Sequence, residues 1–361
     1  MKTAKWWVLV LAVGLALFAG CDDDSSSVDP NGGASGYDFT TILADYSNLV
    51  VVSTYETMMN AGVQFNAAVE AYVASPDDQE LLNQACNRWV DLREPWESGE
   101  AFLFGPAAFL SLDPSLDSWP LDREQLEDIL ESDLDLTTSA VELLGASVRG
   151  FHTAEFLLFR EGNPRNVSDV TPREREYLLA VSGVLASDTE SLCLAWKEGY
   201  DGGDAYANEF TNAGKAGSRY TTQLDAVLQI VDGMSAIVDE VANGKLADPY
   251  NEQNPIIVES WHSFNSLDDF ANNIRSVQNA YMGGYHNGTD GVGLNEYVHE
   301  QDAELDATIQ TQIEASITAI NQIPHPFRDN LTASAQIEAA MTQLNVLKVT
   351  LEDDLTTLLV N

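Results

Sequence analysis

The run VRGFHTAEFLLFREG, residues 148–162, sets His152 and Glu155 three positions apart among Phe151, Ala154, Phe156, Leu157, Leu158 and Phe159. On a helix this spacing puts an imidazole and a carboxylate on one face, with Cβ atoms about 5–6 Å apart. RWVDLREPWESGEAFLFGP repeats the spacing with Glu97 and Glu100, again followed by apolar residues. Two helices that each present such a pair to a shared core can assemble a four-ligand site, the logic of carboxylate-rich bundle metal sites. Carboxylates with one imidazole suit iron, zinc or manganese better than sulfur-loving ions. For each pair two readings stand. His152 and Glu155 are either ligands or a hydrogen-bonded core pair, since a lone carboxylate in apolar surroundings is costly. Glu97 and Glu100 are either ligands or buried salt-bridge partners of Arg93, Arg88 or Arg149.

A third stretch, SFNSLDDFANNIRSVQNAYMGGY, places Phe270, Ile274, Val277 and Tyr281 on one stripe and Asp269, Asn272, Asn273 and Ser276 on another. Packed against another domain, the two asparagines would orient ligands; left in solvent, they are ordinary polar residues. Asp269, three after Ser266, also fits the reciprocal position of a helix cap. A zinc peptidase motif needs two histidines on one helix with a glutamate base. Phe156 follows Glu155, so the second histidine is missing, and binding of a cation is favoured over hydrolysis. If the chain is a peptidase, Glu155 is the candidate catalytic group.

The elements that must position these residues are helices. Apolar residues recur at three- and four-residue spacing beyond residue 37, predicting helices near 38–74, 76–103, 122–145, 147–160, 172–199, 204–243, 266–281, 293–322 and 332–359. Ser75 with Pro76, and Thr171 with Glu174, read as helix starts. Pro95 removes a backbone bond and predicts a kink just before the acids. Short links imply antiparallel packing. The expected fold is all-α, with two helical-bundle domains, 38–165 carrying the His-x-x-Glu motif and 166–361, and a site at their interface.

Residues 1–20 read as a lipoprotein signal peptide: Lys2 and Lys5, a short apolar run, then LFAGC. Lipidation of Cys21 is expected to anchor the chain in the membrane of a bacterial cell envelope, the outer membrane before the inner. Residues 21–37, acidic and then rich in Ser and Gly, read as a flexible tether. The chain has 57 acidic against 17 basic residues. Without Lys2 and Lys5 the balance is 57 to 15, a formal −42, which argues against nucleic acid as a partner and favours cations. Cys86 and Cys193 sit in apolar runs and read as buried free thiols.

The segments REPWESGEAFLFGP, SWPLD, GFHTAEFLLF, DPYNEQ and FNSLDDFANNIRSVQNAYMGGY together resemble the imelysin-like family, which includes proteins like iron-regulated protein A, in family order over residues 40–330. The Gly-x-His-x-x-Glu of Gly150, His152 and Glu155 is that family's hallmark. The resemblance implies an all-helical fold of two bundles, an exported or cell-envelope protein, and a link to iron uptake and its components. WESGE is similar to a Glu-x-x-Glu that accompanies His-x-x-Glu in periplasmic iron-uptake proteins. The resemblance thus implies Glu97, Glu100, His152 and Glu155 as ligands for iron or zinc; Arg93, Asp269, Asn272 and Asn273 are the residues expected around them at the interface. The alternative it carries is a metallopeptidase.

Overall fold

A computed structural model describes residues 36–284 and 290–361. Cys21, the signal segment, most of the tether and His286 lie outside the described residues. The described chain is helical almost throughout, apart from a two-residue strand pair in which Phe159–Arg160 meets Asn163–Pro164.

One group of helices comprises α1 (Ser53–Ala74), α2 (Gln79–Glu97), α3 (Gly150–Leu158) and α4 (Pro172–Lys197). The other comprises α5 (Gln223–Glu240), α6 (Ser266–Met282), α7 (Ala303–Asn321) and α8 (Ser334–Val349). The groups meet where α6 packs on α2 and where α5 packs on the 3₁₀ turn Glu100–Phe102. The helix α4 follows the loop that the sequence offers as a domain boundary, yet it lies along α1 and against α3. Gly62 makes this close approach possible, because a Cβ there would meet Thr189 Oγ1 at 2.5 Å. Ser182 Oγ also donates to Asn66 Oδ1 across the same seam (2.9 Å).

Local chemistry explains where the helices start and stop. Thr171 accepts from the Glu174 N–H while Glu174 accepts from the Thr171 N–H, the capping box expected from the sequence. The start expected at Ser75 and Pro76 moves to Asp78, whose carboxylate accepts from Glu80 and Leu81. A carboxylate that reaches the free first-turn N–H groups wins over the earlier proline. The expected helix 204–243 holds only as Ala207–Thr211 and α5, because Gly214 and Gly217 take positive φ between them. Residues 122–145 likewise divide into Arg123–Glu131 and Thr138–Glu142. At the far end, Asp302 caps α7 and separates it from Leu294–Gln301.

Candidate metal centre

The floor of the site is α2. The helix continues through Pro95 to Glu97, and Ser98 and Gly99 then turn the chain into the 3₁₀ turn Glu100–Phe102. Glu97 and Glu100 therefore lie on different elements, not on one helix face, but they still converge. Asn273 of α6 donates to Glu97 Oε2 at 2.5 Å and to Glu100 Oε2 at 3.0 Å. Ser276 fixes that junction, accepting from the Ala101 N–H at 3.0 Å and donating to the Asn273 carbonyl at 2.5 Å.

One wall is α3, buried along its whole length. Gly150 opens it at φ +78°, and a Cβ there would run into the carbonyl oxygens of Ser115 and Leu116. That contact explains the glycine two residues before His152: only a residue without a side chain lets α3 abut the short helix Leu112–Asp117. Trp89 donates to the Phe151 carbonyl (3.1 Å) and Tyr177 to the Val148 carbonyl, tying α3 to both neighbours.

His152 stands between two carboxylates. Its Nδ1 lies 3.2 Å from Glu155 Oε2 and its Nε2 lies 3.0 Å from Asp117 Oδ1, with Glu259 at 3.9 Å. Trp119 covers the imidazole, ring centroids 4.5 Å apart. Burial works against the imidazolium, but Asp117 and Glu155 raise its pKa to about 9. Glu155 spends its other oxygen on the loop after Val258, where Oε1 accepts from the N–H groups of His262 (2.9 Å) and Ser263 (2.8 Å) and from Ser263 Oγ (2.8 Å). Ser260 and Phe264 take positive φ on either side of these donors, a winding that turns successive N–H groups toward one anion. Burial would raise the Glu155 pKa, but His152 and these donors hold it below the usual range. The His262 ring packs on Trp261 and Phe156 instead.

Two cations occupy the centre. Arg93, fully buried, pairs with Glu97 (2.5 Å), Asp269 (3.4 Å), Asp117 and Glu259. Lys245 ends the π-helical turn Val241–Lys245 that follows α5 and places its Nζ 3.0 Å from Glu100, 3.2 Å from Glu259 and 3.8 Å from Glu97. The carboxylates Glu97, Glu100, Asp117, Glu155, Glu259 and Asp269 thus outnumber Arg93, Lys245 and His152 six to three. The surplus appears in the acids themselves. Burial and neighbouring carboxylates push Glu97 and Glu100 well above the ordinary range despite Arg93 and Lys245, and burial lifts Asp269 to about 6. Asp117 goes the other way: burial would raise it, but Arg93 and His152 hold it low.

Two sets of donor atoms lie close enough to share a cation, each set within 4.8 Å: Asp117, His152 and Glu259; and Glu97, Glu100 and Asp117. Glu97 Oε1, His152 Nε2 and Asn273 Oδ1 are buried without a hydrogen bond of good geometry. Orphaned donor-capable atoms beside surplus carboxylates fit a cation with oxygen and imidazole ligands. A cavity of about 520 Å³ reaches the cluster from outside, lined by Glu100, Asp117, Lys245 and Glu259 within and Asp113 and Glu240 further out.

The sequence profile of imelysin matches residues 51–352. The chain belongs to the imelysin family. It is 28% identical over 331 residues to iron-regulated protein A of Synechococcus elongatus, covering 91% of this chain and 88% of that one. The solved structure of a protein assigned as an iron-regulated protein A precursor, from Parabacteroides distasonis, superposes with a TM-score of 0.81 at 34% identity, covering 89% of this chain and 95% of that one. An imelysin-like protein from Psychrobacter arcticum shares the fold, with a TM-score of 0.71 at 14% identity over 89% of this chain and 95% of its own.

In this imelysin-family chain the cluster gathers Glu97, Glu100, His152, Glu155, Arg93, Asp269 and Asn273 from the sequence reading. Asn272 is not brought in; it accepts from Arg275 (2.7 Å) on another face of α6. Asp269 does not cap α6, since its oxygens take Asn265 Nδ2 (2.6 Å) and Arg93. Of the arginines weighed as partners for the acids, Arg93 alone reaches them among the described residues; Arg88 pairs with Asp91 and Arg149 donates to the Glu142 carbonyl. Sequence reasoning missed Asp117, Glu259 and Lys245. Asp117 had a signal, because it directly precedes the SWPLD segment. Cys86 and Cys193 are free and buried, as expected.

Proposed function

We propose that this iron-related imelysin-family protein binds a metal cation in the cluster between its two helix groups. The observation that carries the reading is the surplus of buried carboxylates over cations around Asp117, the one residue common to both donor sets. Asp117, His152 Nε2 and Glu259 are the inner ligands, with Glu97 and Glu100 able to complete the shell. Glu155 acts differently from the ligand role the resemblance implies. Its two oxygens are taken by His152 Nδ1 and by the 262–263 donors, so it fixes the imidazole with Nε2 turned to the site. That is the usual part of a carboxylate behind a metal-bound histidine. The oxygen-rich set suits iron, with manganese and zinc as competitors; the iron link comes from the names of the relatives. In this reading the protein works at the cell envelope, held there by a lipid on Cys21.

The test is metal content. The mature chain is purified, incubated with ferrous, manganese or zinc ion, freed of excess, and analysed by mass spectrometry. Stoichiometric metal in the wild type, lost in a double Asp117→Asn, His152→Gln variant that remains folded by circular dichroism, supports the reading. Equal metal in both proteins overturns it.

A further inference from the structure

Among the cations of the cluster, Arg93 and Lys245 are held in different ways. The guanidinium is fully buried, lies over the Phe151 ring at 5.0 Å, and has carboxylates from four separate segments around it. It cannot leave without dismantling α2. Lys245 comes from a different segment, the π-helical turn after α5. Its stem starts at a surface turn, follows Gly244, and lines the cavity, with its ammonium at the inner end among Glu100, Glu259 and Glu97. That is where a cation shared by the two donor sets would feel the same three carboxylates.

We propose that Lys245 is a tethered counter-ion that holds the place of the metal and withdraws along the cavity when metal binds; this rests on the cation reading above. Three features make the exchange feasible. The Lys245 ammonium pairs with carboxylates that a metal would itself take, and no other partner among the described residues keeps it in. At Gly244 a Cβ would meet nothing nearer than Glu240 Cγ at 4.0 Å, an ordinary contact, and the π-helical turn is a backbone form that can tighten to α-helix by releasing a single residue. The outer cavity carries Asp113 and Glu240, which can receive the ammonium after it leaves the inner acids. Lys245 is therefore a positioning residue that sets cation affinity by competition: a divalent ion must displace a single charge already bound.

The inference predicts that removing the ammonium tightens metal binding while weakening the metal-free protein. Manganese(II) titrations by calorimetry would compare the wild type with Lys245→Met, which keeps the stem and loses the charge. An affinity gain of about tenfold or more, equal to about 1.4 kcal/mol, is expected, with a lower Tm without metal that added manganese restores. A merely structural lysine would lower Tm without raising affinity. Should Lys245→Met not fold, amine labelling of the wild type replaces it: acylation of Lys245, read by peptide mass spectrometry, is expected to rise severalfold when manganese is added. Manganese binding with unchanged or weaker affinity in Lys245→Met, or with unchanged Lys245 labelling, overturns the counter-ion role while leaving the cation site standing. No binding of ferrous, manganese or zinc ion by either protein overturns both.

Discussion

Two buried ion clusters in this molecule use the same residue types and differ in how their charges close. Near the start of α4, Arg165 meets Glu174 at 2.7 Å, one charge against one. The remaining Arg165 donors go to the carbonyls of Leu157 (3.1 Å) and Asp169 (2.6 Å), and the second Glu174 oxygen caps its own helix at Thr171. These side-chain partners all come from the stretch between the last turn of α3 and the first turn of α4. Around Arg93 the partners come from α2, the Leu112–Asp117 helix, α3, the 245–259 region and α6, and acids outnumber cations. The first cluster fastens a helix end. The second holds charge that folding alone does not neutralise, and buried charge of that kind has to be met by protons or by a bound cation.

The largest expected effect separates the two directly. Arg93→Met leaves Asp117, Glu259, Glu97 and Asp269 without their common guanidinium, and breaking a buried ion network from one side costs about 3–5 kcal/mol or more. Denaturant unfolding should show that loss, and adding Glu97→Gln should recover little of it, because Asp117, Glu259 and Asp269 still lack the guanidinium they shared. Arg165→Met should also destabilise, but the double Arg165→Met, Glu174→Gln variant should recover much of the loss, since it removes a closed pair together. Equal recovery in the two cycles would mean that both clusters close their charge in the same way.

The same contrast explains what could be read from sequence. Pairs on one helix start or helix face were legible: Thr171 with Glu174, His152 with Glu155, and Arg93 four before Glu97; Glu97 and Glu100 do converge, but across a turn and not along one helix as the spacing suggests. Helical spacing reports neighbours on one element and nothing else. Asp117, Lys245 and Glu259 reach the cluster from short turns, each a single charged residue without a periodic partner, and Glu259 lies 166 positions from the Arg93 it meets. The all-α fold was legible because apolar spacing persists along most of the chain. The overlong 204–243 segment failed where that spacing runs across Gly214 and Gly217, whose positive φ overrides it. Glu155 was legible as a residue but not in its role, because the donors that occupy it sit in a loop over a hundred positions away.

A smaller effect tests how closely the first group of helices is fitted to the site. Gly150→Ala asks a side chain to adopt φ +78° and to enter the space of two carbonyl oxygens. Left-handed strain and overpacking each cost about 1–3 kcal/mol. The expected result is a lower Tm together with weaker metal retention, because α3 must shift and carry His152 with it. Unchanged stability would mean that the Leu112–Asp117 helix yields easily, and the cluster would then be looser than its burial suggests.

The smallest effect concerns two histidines that meet the same glutamate. His152 faces Glu155 and Asp117 with its ring, and its pKa is raised to about 9. His262 offers Glu155 its backbone N–H while burial of the ring, only partly opposed by Glu155, lowers its pKa to about 4. The signs for stability are opposite. Folded His152 keeps a proton that the unfolded chain releases above about pH 6.5, so its contribution is full below that value and is lost as pH rises through 9. Folded His262 refuses a proton that the unfolded chain takes up below about pH 6.5, so its penalty grows as pH falls toward 4. Each slope is at most about 1.4 kcal/mol per pH unit. Asp113 and Asp269, both lifted to about 6 chiefly by burial, bind protons in the folded state over the acid range and oppose the His262 slope. The measurement is therefore a difference between proteins: unfolding free energy of chelated wild type, His262→Phe and His152→Gln from pH 4 to 9. Relative to wild type, His262→Phe should gain stability as pH falls toward 4, and His152→Gln should lose the decline between pH 6.5 and 9. If both substitutions change the same limb in the same direction, the two imidazoles share one environment, and Glu155 does not divide the charged side of the site from the apolar one.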